Sequence, residues 1–204
     1  MKKIQRSIIF VIGILLWVMQ GQSVFAAGSA ELLSGTIANT TISYRLTADG
    51  TLTIYSDNIE KMPNYTVNST VPWAAQKDKI KKVQINSYLK NIGDYAFYGC
   101  NSLESVVIQD SKLTEIGIAA FKNCTNLKTI NIPETVKVIG TMGFANCNSL
   151  QSTKKSPVNI PKGNTEIMDF AFAGCKSMQY IKIPASVEMI GNCAFFECDF
   201  LSEI

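Results

Sequence analysis

Cysteine is the residue type whose spacing in this chain most readily suggests a chemical role. The sequence holds six cysteines, and all of them follow residue 99. Five recur at separations of 24, 23, 28 and 23 residues, namely Cys100, Cys124, Cys147, Cys175 and Cys198. No Cys-x-x-Cys pair occurs, so the sequence offers no motif for a zinc site or for redox catalysis. The spacing favours one small, buried thiol per structural unit, with disulfides in this column as the alternative in an oxidising compartment.

Histidine, the side chain best suited to proton transfer near neutral pH, is absent from the sequence. Its absence excludes His-activated nucleophiles, His-ligated zinc and His acid–base catalysis. The acidic residues form no recognisable pair, and Ser-Lys neighbours such as Ser111-Lys112 reflect chance spacing. We therefore predict that the chain is not an enzyme and that it uses no metal and no cofactor.

Each of the five cysteines belongs to a similar segment, in which Ile-Gly precedes Ala-Phe-x-x-Cys and a Leu-x-x-Ile-x-Ile run follows. A period in the low twenties with apolar positions in register is typical of a leucine-rich-repeat solenoid, whose stacked units share one core. The Leu-x-x-Ile-x-Ile run predicts a short strand, and Ala-Phe-x-x-Cys predicts a short helical turn on the opposite wall, with Phe between the coils. The predicted fold class is an α/β repeat with short parallel strands and short helical turns.

Two of these segments carry a specific resemblance. IGDYAFYGCNSLESVVI at 92–108 and IGIAAFKNCTNLKTINIP at 116–133 resemble the BspA-type leucine-rich repeats of bacterial surface proteins. The resemblance covers 92–204 and implies adhesion or host-protein binding. The third unit departs from it by an insertion between Leu150 and Val158, and the fourth places Met168 at the Gly position and Asn164 at an apolar position.

The N-terminal 26 residues have the layout of a secretory signal peptide. A start with Lys2, Lys3 and Arg6 precedes an apolar run at 8–19 and small residues near Ala26. Removing these three basic residues from the total of 19 Lys and Arg leaves 16, equal to the 16 Asp and Glu. We expect a secreted or cell-surface protein with no stable membrane span after cleavage and no affinity for nucleic acid.

Residues 27–79 have a different pattern from the repeats. Alternating runs at 41–46 and 51–55 flank Asp49-Gly50, which predicts a β-hairpin. We expect this region to be an N-terminal β-rich cap on the first coil, with leucine-rich repeats from 80 to 204. Since the chain stops at Ile204 inside the fifth predicted strand, we expect the repeat array to be C-terminally incomplete, as a fragment or as a unit that a partner completes.

The predicted strands place one set of polar side chains on a broad concave face. These candidate binding residues are Lys82, Gln84, Glu104, Lys128, Asn131, Asn159, Gln179, Tyr180 and Lys182. Their simplest role is to keep the sheet soluble, but Tyr180 is an amphipathic aromatic of the kind found in interface hot spots. We predict a protein-binding module for a protein or glycan ligand, with a structural spacer or recognition portion of a larger secreted protein as the alternative.

Overall fold

The fold is built almost entirely from short β-strands joined by tight turns. A computed structural model describes residues 30–86, 88–109, 112–155 and 158–202, and the predicted signal peptide lies outside these ranges. One 3-10 helix, Ala74–Lys79, occurs in them. The strands are β1 (Glu31–Thr36), β2 (Ser43–Thr47), β3 (Thr51–Tyr55), β4 (Lys82–Asn86), β5 (Asn91–Ile92), β6 (Ser105–Gln109), β7 (Glu115–Ile116), β8 (Thr129–Ile130), β9 (Val138–Ile139), β10 (Val158–Asn159), β11 (Glu166–Ile167), β12 (Ile181–Lys182) and β13 (Met189–Ile190).

Successive coils of the chain stack in register and form a β-solenoid. A six-stranded sheet has the order β1-β2-β3-β4-β6-β8, and a separate two-stranded sheet pairs β10 with β12. A further sheet of two-residue strands has the order β5-β7-β9-β11-β13. In the six-stranded sheet Val83 lies opposite Val106, which lies opposite Ile130, so apolar positions of consecutive coils meet in the core. The predicted short parallel strands are confirmed.

The Ala-Phe-x-x-Cys segments form tight turns, and the described residues contain no α-helix. Each turn includes two residues with positive φ, such as Tyr95 at 54° and Gly99 at 68°. Such left-handed residues interrupt a right-handed helix. The Phe97 N–H donates instead to the Ala120 carbonyl of the next coil at 2.8 Å. The predicted helical turns and the α/β description are therefore not confirmed.

A continuous ladder of aromatic rings runs through the core behind these turns. The aromatic ladder comprises Trp73, Phe97, Phe121, Phe144, Phe172 and Phe195. Neighbouring ring centroids lie 5.1 to 5.7 Å apart, and their planes differ by at most 14°. Such ring pairs add about 0.5–1.5 kcal/mol each beyond the burial of their area. The prediction that Phe fills the space between coils is confirmed.

The Ile-Gly step of the repeat is explained by close contact between coils. A Cβ at Gly140 would lie 2.8 Å from the carbonyl carbon of Gly117 and 2.8 Å from the Ile116 oxygen. Neither of these backbone atoms can move aside without displacing a whole coil. A side chain at this position would therefore separate the two coils.

The segment before the repeats joins the same sheet. β2 and β3 form the predicted antiparallel pair around Asp49-Gly50, and the sequence did not reveal β1, which pairs with β2. β3 then lies parallel to β4, and Trp73 begins the aromatic ladder ahead of residue 80. The stacking pattern thus extends upstream of the predicted start of the repeats. The role of residues 27–79 as a cap remains a prediction.

Candidate binding face

The candidate binding residues lie on or beside β4, β6, β8, β10 and β12, and we call the solvent side of these strands the sheet face. Lys82 stands in register with Ser105, and Gln84 with Val107. Both predicted residues are half-buried, whereas Val83 between them is fully buried. This alternation is what a strand with one solvated side requires.

Glu104 and Lys128 form an ion pair between neighbouring coils at the edge of the sheet face. The Lys128 Nζ lies 2.9 Å from the Glu104 Oε2, and both side chains are 49% exposed. The hydrogen bond and the charge of Lys128, with a smaller effect of Lys81, lower the pKa of the Glu104 carboxyl. An exposed pair of this kind contributes little to stability.

Asn131 is exposed, but its amide is already engaged. Its Nδ2 donates to the Ile108 carbonyl at 2.9 Å, and its Oδ1 accepts from the Ile108 N–H at 2.9 Å. The Asn131 side chain thus makes the two hydrogen bonds to the Ile108 backbone that a paired strand would otherwise make, at the point where β8 ends. Within the candidate set, Asn131 therefore acts on the sheet itself and offers less to a ligand.

Two of the remaining candidates lie in the two-stranded sheet, and the other two, Gln179 and Tyr180, directly precede β12. Asn159 of β10 stands opposite Lys182 of β12, and both are exposed. Gln179 is also exposed, whereas Tyr180 is half-buried. The structure brings these four residues together, but β8 and β10 do not pair, so they are separated from the first group by a break in the sheet.

The break coincides with the insertion in the third unit. The Gln151 N–H still donates to the Lys128 carbonyl at 3.0 Å, Ser152 forms an isolated parallel bridge with Met178, and regular strand pairing resumes at Val158. The buried Ser152 hydroxyl donates to the Tyr180 carbonyl and accepts from the Val158 N–H. Ser152 thereby closes the base of the insertion, a role that sequence reasoning missed.

A groove opens beside the break, across the loops that follow β8, β10 and β12. Its lining includes Glu134, Asn159, Ile160, Lys162, Lys182 and Pro184. One Glu134 carboxylate oxygen accepts from the Lys162 N–H at 2.9 Å, which ties the loops of two coils together. Glu134 and Lys162 were not among the predicted residues. The long separation of 28 residues between Cys147 and Cys175 was the sequence signal that marked this region.

Asn164 occupies an apolar column of the core, as its sequence position indicated. It is fully buried, and neither atom of its side-chain amide has a hydrogen-bond partner among the described residues. The equivalent residues of the neighbouring coils are Val136, also fully buried, and Val187. The site therefore carries an uncompensated desolvation cost.

The column of cysteines lies against the aromatic ladder, and all six cysteines are free. The Cys124 thiol lies 3.1 Å from the Phe97 carbonyl oxygen, and the Cys147 thiol lies 3.2 Å from that of Phe121. Burial raises the pKa of the Cys100 thiol to about 12. Four thiols of the column, those of Cys100, Cys124, Cys147 and Cys175, are thus buried, as predicted, with the unreactive character of core thiols, whereas Cys198 is half-buried.

The described residues also bear on metal binding and on membrane insertion. No three His, Cys, Asp or Glu side chains in the described ranges are grouped so that they could hold a metal ion. Within the same ranges, no helix has the length and apolar character that a membrane crossing demands.

The parallel strands, the stacked turns and the repeat length define a leucine-rich-repeat protein. A family model described as a BspA type leucine rich repeat region of six copies matches residues 151–204. The resemblance seen in the sequence is confirmed by this match, which covers the last 54 residues of the chain.

A solved bacterial structure shares the fold, and another is similar over a comparable part of the chain. A leucine-rich repeat protein from Bacteroides ovatus is 25% identical with a TM-score of 0.58, over 87% of this chain and 46% of that chain. A leucine rich cell surface protein from Faecalibacterium prausnitzii is 28% identical with a TM-score of 0.46, over 87% of this chain and 55% of that chain. The chain thus spans about half the length of these two proteins. No curated protein matches it.

Proposed function

We propose that this chain is a secreted or cell-surface binding module whose sheet face binds a protein or glycan ligand. The observation that carries the proposal is the row of solvated polar side chains that stands in register over a buried core. The BspA-type repeats, whose family resemblance implies adhesion, and the predicted signal peptide support the extracellular setting.

The two-stranded part of the sheet face is the stronger half of the candidate site. Tyr180 combines an apolar ring with a hydroxyl group, and aromatic residues of this kind dominate the energetics of many interfaces. Lys182 and Asn159 lie side by side and add a charge, hydrogen-bond donors and an acceptor. A ligand that covers Tyr180 would reach both of these residues on the same surface.

The test is a screen of the full chain against host-matrix proteins and glycans, followed by the double substitution Tyr180→Ala with Lys182→Ala. We expect the affinity for an identified ligand to fall by about tenfold or more, since hot-spot residues each contribute over about 1 kcal/mol. Lys176→Ala with Phe196→Ala is the matched control, because both residues are exposed in the turns and lie off the sheet face.

The binding measurements show whether the ligand binds the sheet face or another part of the surface. Loss of binding in the first double variant, with an unchanged circular dichroism spectrum, would support the proposal. Unchanged binding to every identified ligand, or an equal loss in the control pair, would show that the ligand binds elsewhere.

A second candidate function is that of a structural spacer or recognition portion of a larger secreted protein. It is favoured by the coverage of only 46% of the Bacteroides ovatus protein. Reading the gene beyond the codon for Ile204 tests it, since further repeats, a wall anchor or a catalytic domain would favour this role.

A further inference from the structure

The groove beside the break lies where three strands of the sheet face end. In each of these coils a proline follows the strand, and the residue after that proline is Glu134, Lys162 or Ala185. All three residues line the groove, so equivalent positions of adjacent coils bring a carboxylate and an ammonium group to one surface. The groove has a volume of about 530 Å³, which falls within the roughly 300–1,000 Å³ typical of small-molecule sites.

The two lysines of the groove have ammonium groups that are available to a ligand. Lys182 lies on β12 opposite Asn159, and Lys162 lies in the loop after β10. Both are exposed, and neither side chain forms an ion pair or a hydrogen bond with a residue in the described ranges. Glu134 carries the opposing charge, and one of its oxygens already accepts from the Lys162 N–H at 2.9 Å. Two ammonium groups and one carboxylate leave one positive charge in excess on the lining, which matches an anion of single charge.

The uncharged part of the lining suits a sugar ring. Ile160 and Pro184 provide a small apolar area against which the C–H face of a pyranose can pack. The Asn159 amide and the second oxygen of Glu134 offer donors and acceptors for the ring hydroxyls. None of the described residues that line the groove is aromatic, so a neutral sugar has no ring to stack on. A charged group on the sugar must therefore supply the preference.

We infer that this groove binds a sugar residue that carries one carboxylate, such as a uronic acid within a glycan, with the carboxylate on Lys162 and Lys182. The inference rests on the proposed binding function and deepens it by naming the class of ligand. It also adds Lys162 and Glu134, which lie outside the predicted set of binding residues. Tyr180 does not line the groove, so the groove and the sheet face can be tested separately.

The test compares methyl β-D-glucuronide with methyl β-D-glucoside, two probes that differ only in a carboxylate against a hydroxymethyl group. Titration of the full chain, followed by NMR chemical shifts, gives both dissociation constants, and the readout is the affinity of the glucuronide relative to the glucoside. We expect this affinity ratio to be about fivefold, the combined effect of two exposed ion pairs, and to fall towards one at high salt.

Three substitutions locate the carboxylate of the ligand. We expect Lys162→Gln and Lys182→Gln each to lower the affinity ratio about twofold, and Glu134→Gln to raise it about twofold because a like charge is removed. Lys137→Gln is the matched control and should leave the ratio unchanged, since this exposed lysine precedes β9 and does not line the groove. Acetate is the control for charge alone and should bind more weakly than the glucuronide.

The results distinguish this inference from the proposed function. An affinity ratio near one, equal effects of Lys137→Gln and Lys162→Gln, or a lower ratio after Glu134→Gln would overturn the groove assignment. Acetate that bound as tightly as the glucuronide would overturn the assignment to a sugar. If a screened ligand depends on Tyr180 while the ratio is near one, the sheet face is supported without the groove. If the ratio depends on Lys162 while no screened ligand depends on Tyr180, the groove is supported without the sheet face.

Discussion

The same repeat forms a uniform structure on the turn side of this solenoid and an interrupted one on the sheet side. On the turn side, every coil places its ring in the aromatic ladder, and the thiols of Cys124, Cys147, Cys175 and Cys198 all lie 3.1 to 3.3 Å from a Phe carbonyl of the preceding coil. On the sheet side, the pairing stops at β8 and resumes at β10. One side is uniform, and the other accommodates an insertion.

The difference follows from how deeply each side is buried. A ring such as Phe144 is fully buried between two others, so a change there would leave a cavity or a clash in both neighbours. The outward residues of the sheet face meet water, where most substitutions alter stability by about 0.5 kcal/mol or less. Substitutions therefore cost the least stability on the face that we propose to bind ligand.

The largest contrast that we predict concerns the thiols. Burial raises the pKa of the Cys100 thiol from its ordinary value of 9.0 to about 12, which lowers its thiolate fraction at neutral pH about a thousandfold. Cys193 is exposed on the last described turn. In the folded chain we expect a thiol reagent to label the exposed Cys193 first, the half-buried Cys198 more slowly and the four buried cysteines slowest, with all six reacting after unfolding.

Cys193→Ser is the control for that measurement, since it should remove the fast phase alone. Several cysteines reacting at comparable rates in the folded protein would mean that the column is open to solvent. Six unreactive sulfurs in denaturant without reductant would reveal disulfides.

The next prediction compares stability on the two sides. Phe121→Ala should lower the free energy of unfolding by about 3–5 kcal/mol, because it removes a fully buried ring from the middle of the ladder. Gln179→Ala, on the sheet face, should change it by less than about 0.5 kcal/mol. A guanidinium titration monitored by circular dichroism measures both. Equal losses would contradict the assignment of the two sides.

The repeat positions were predictable because they follow from a regular apolar period. Ile92 and Phe97 return in each unit, Leu103 returns in every unit but the fourth, which has Met178, and all four residues are fully buried. Burial of a regular column depends on residue type and spacing, which the sequence states directly. The sheet-face residues were predictable as solvated for the same reason.

Three features were not predictable from the same signals. Left-handed φ at Tyr95 and Phe170 runs against the preference of bulky residues, and it is imposed by the stacking of turns from neighbouring coils. Trp73 joins the aromatic ladder without the surrounding Ala-Phe-x-x-Cys motif. The groove is lined by Glu134 and Lys162, which lie 28 positions apart at equivalent places in adjacent coils, and the regular apolar period does not reveal their contact.

The third prediction concerns Asn164, a buried polar residue in an apolar column of the core. Asn164→Val should raise the free energy of unfolding by about 1–3 kcal/mol, because it removes two buried, unpaired polar atoms from an apolar column. Asn91→Val is the matched control, since the Asn91 Nδ2 donates to the Met62 carbonyl at 3.1 Å and its loss should destabilise. Denaturant midpoints measure both variants. Destabilisation by Asn164→Val would indicate that its amide has a partner in solution.

The smallest effect is expected from the ion pair on the sheet side, and its sign follows from the pKa. The hydrogen bond and charge of Lys128 lower the pKa of Glu104 in the folded state below its ordinary value of 4.5. Its contribution to stability is therefore fully present above pH 4.5 and is lost as the pH falls through the lowered pKa. A double-mutant cycle with Glu104→Gln and Lys128→Gln should give a small favourable coupling at about pH 7 that vanishes at about pH 2 and in about 1 M salt.

A coupling that persisted in acid would require a hydrogen bond independent of the Glu104 charge. A coupling as large as the loss from Phe121→Ala would remove the contrast between the two sides, since the sheet face would then be as constrained by stability as the aromatic ladder.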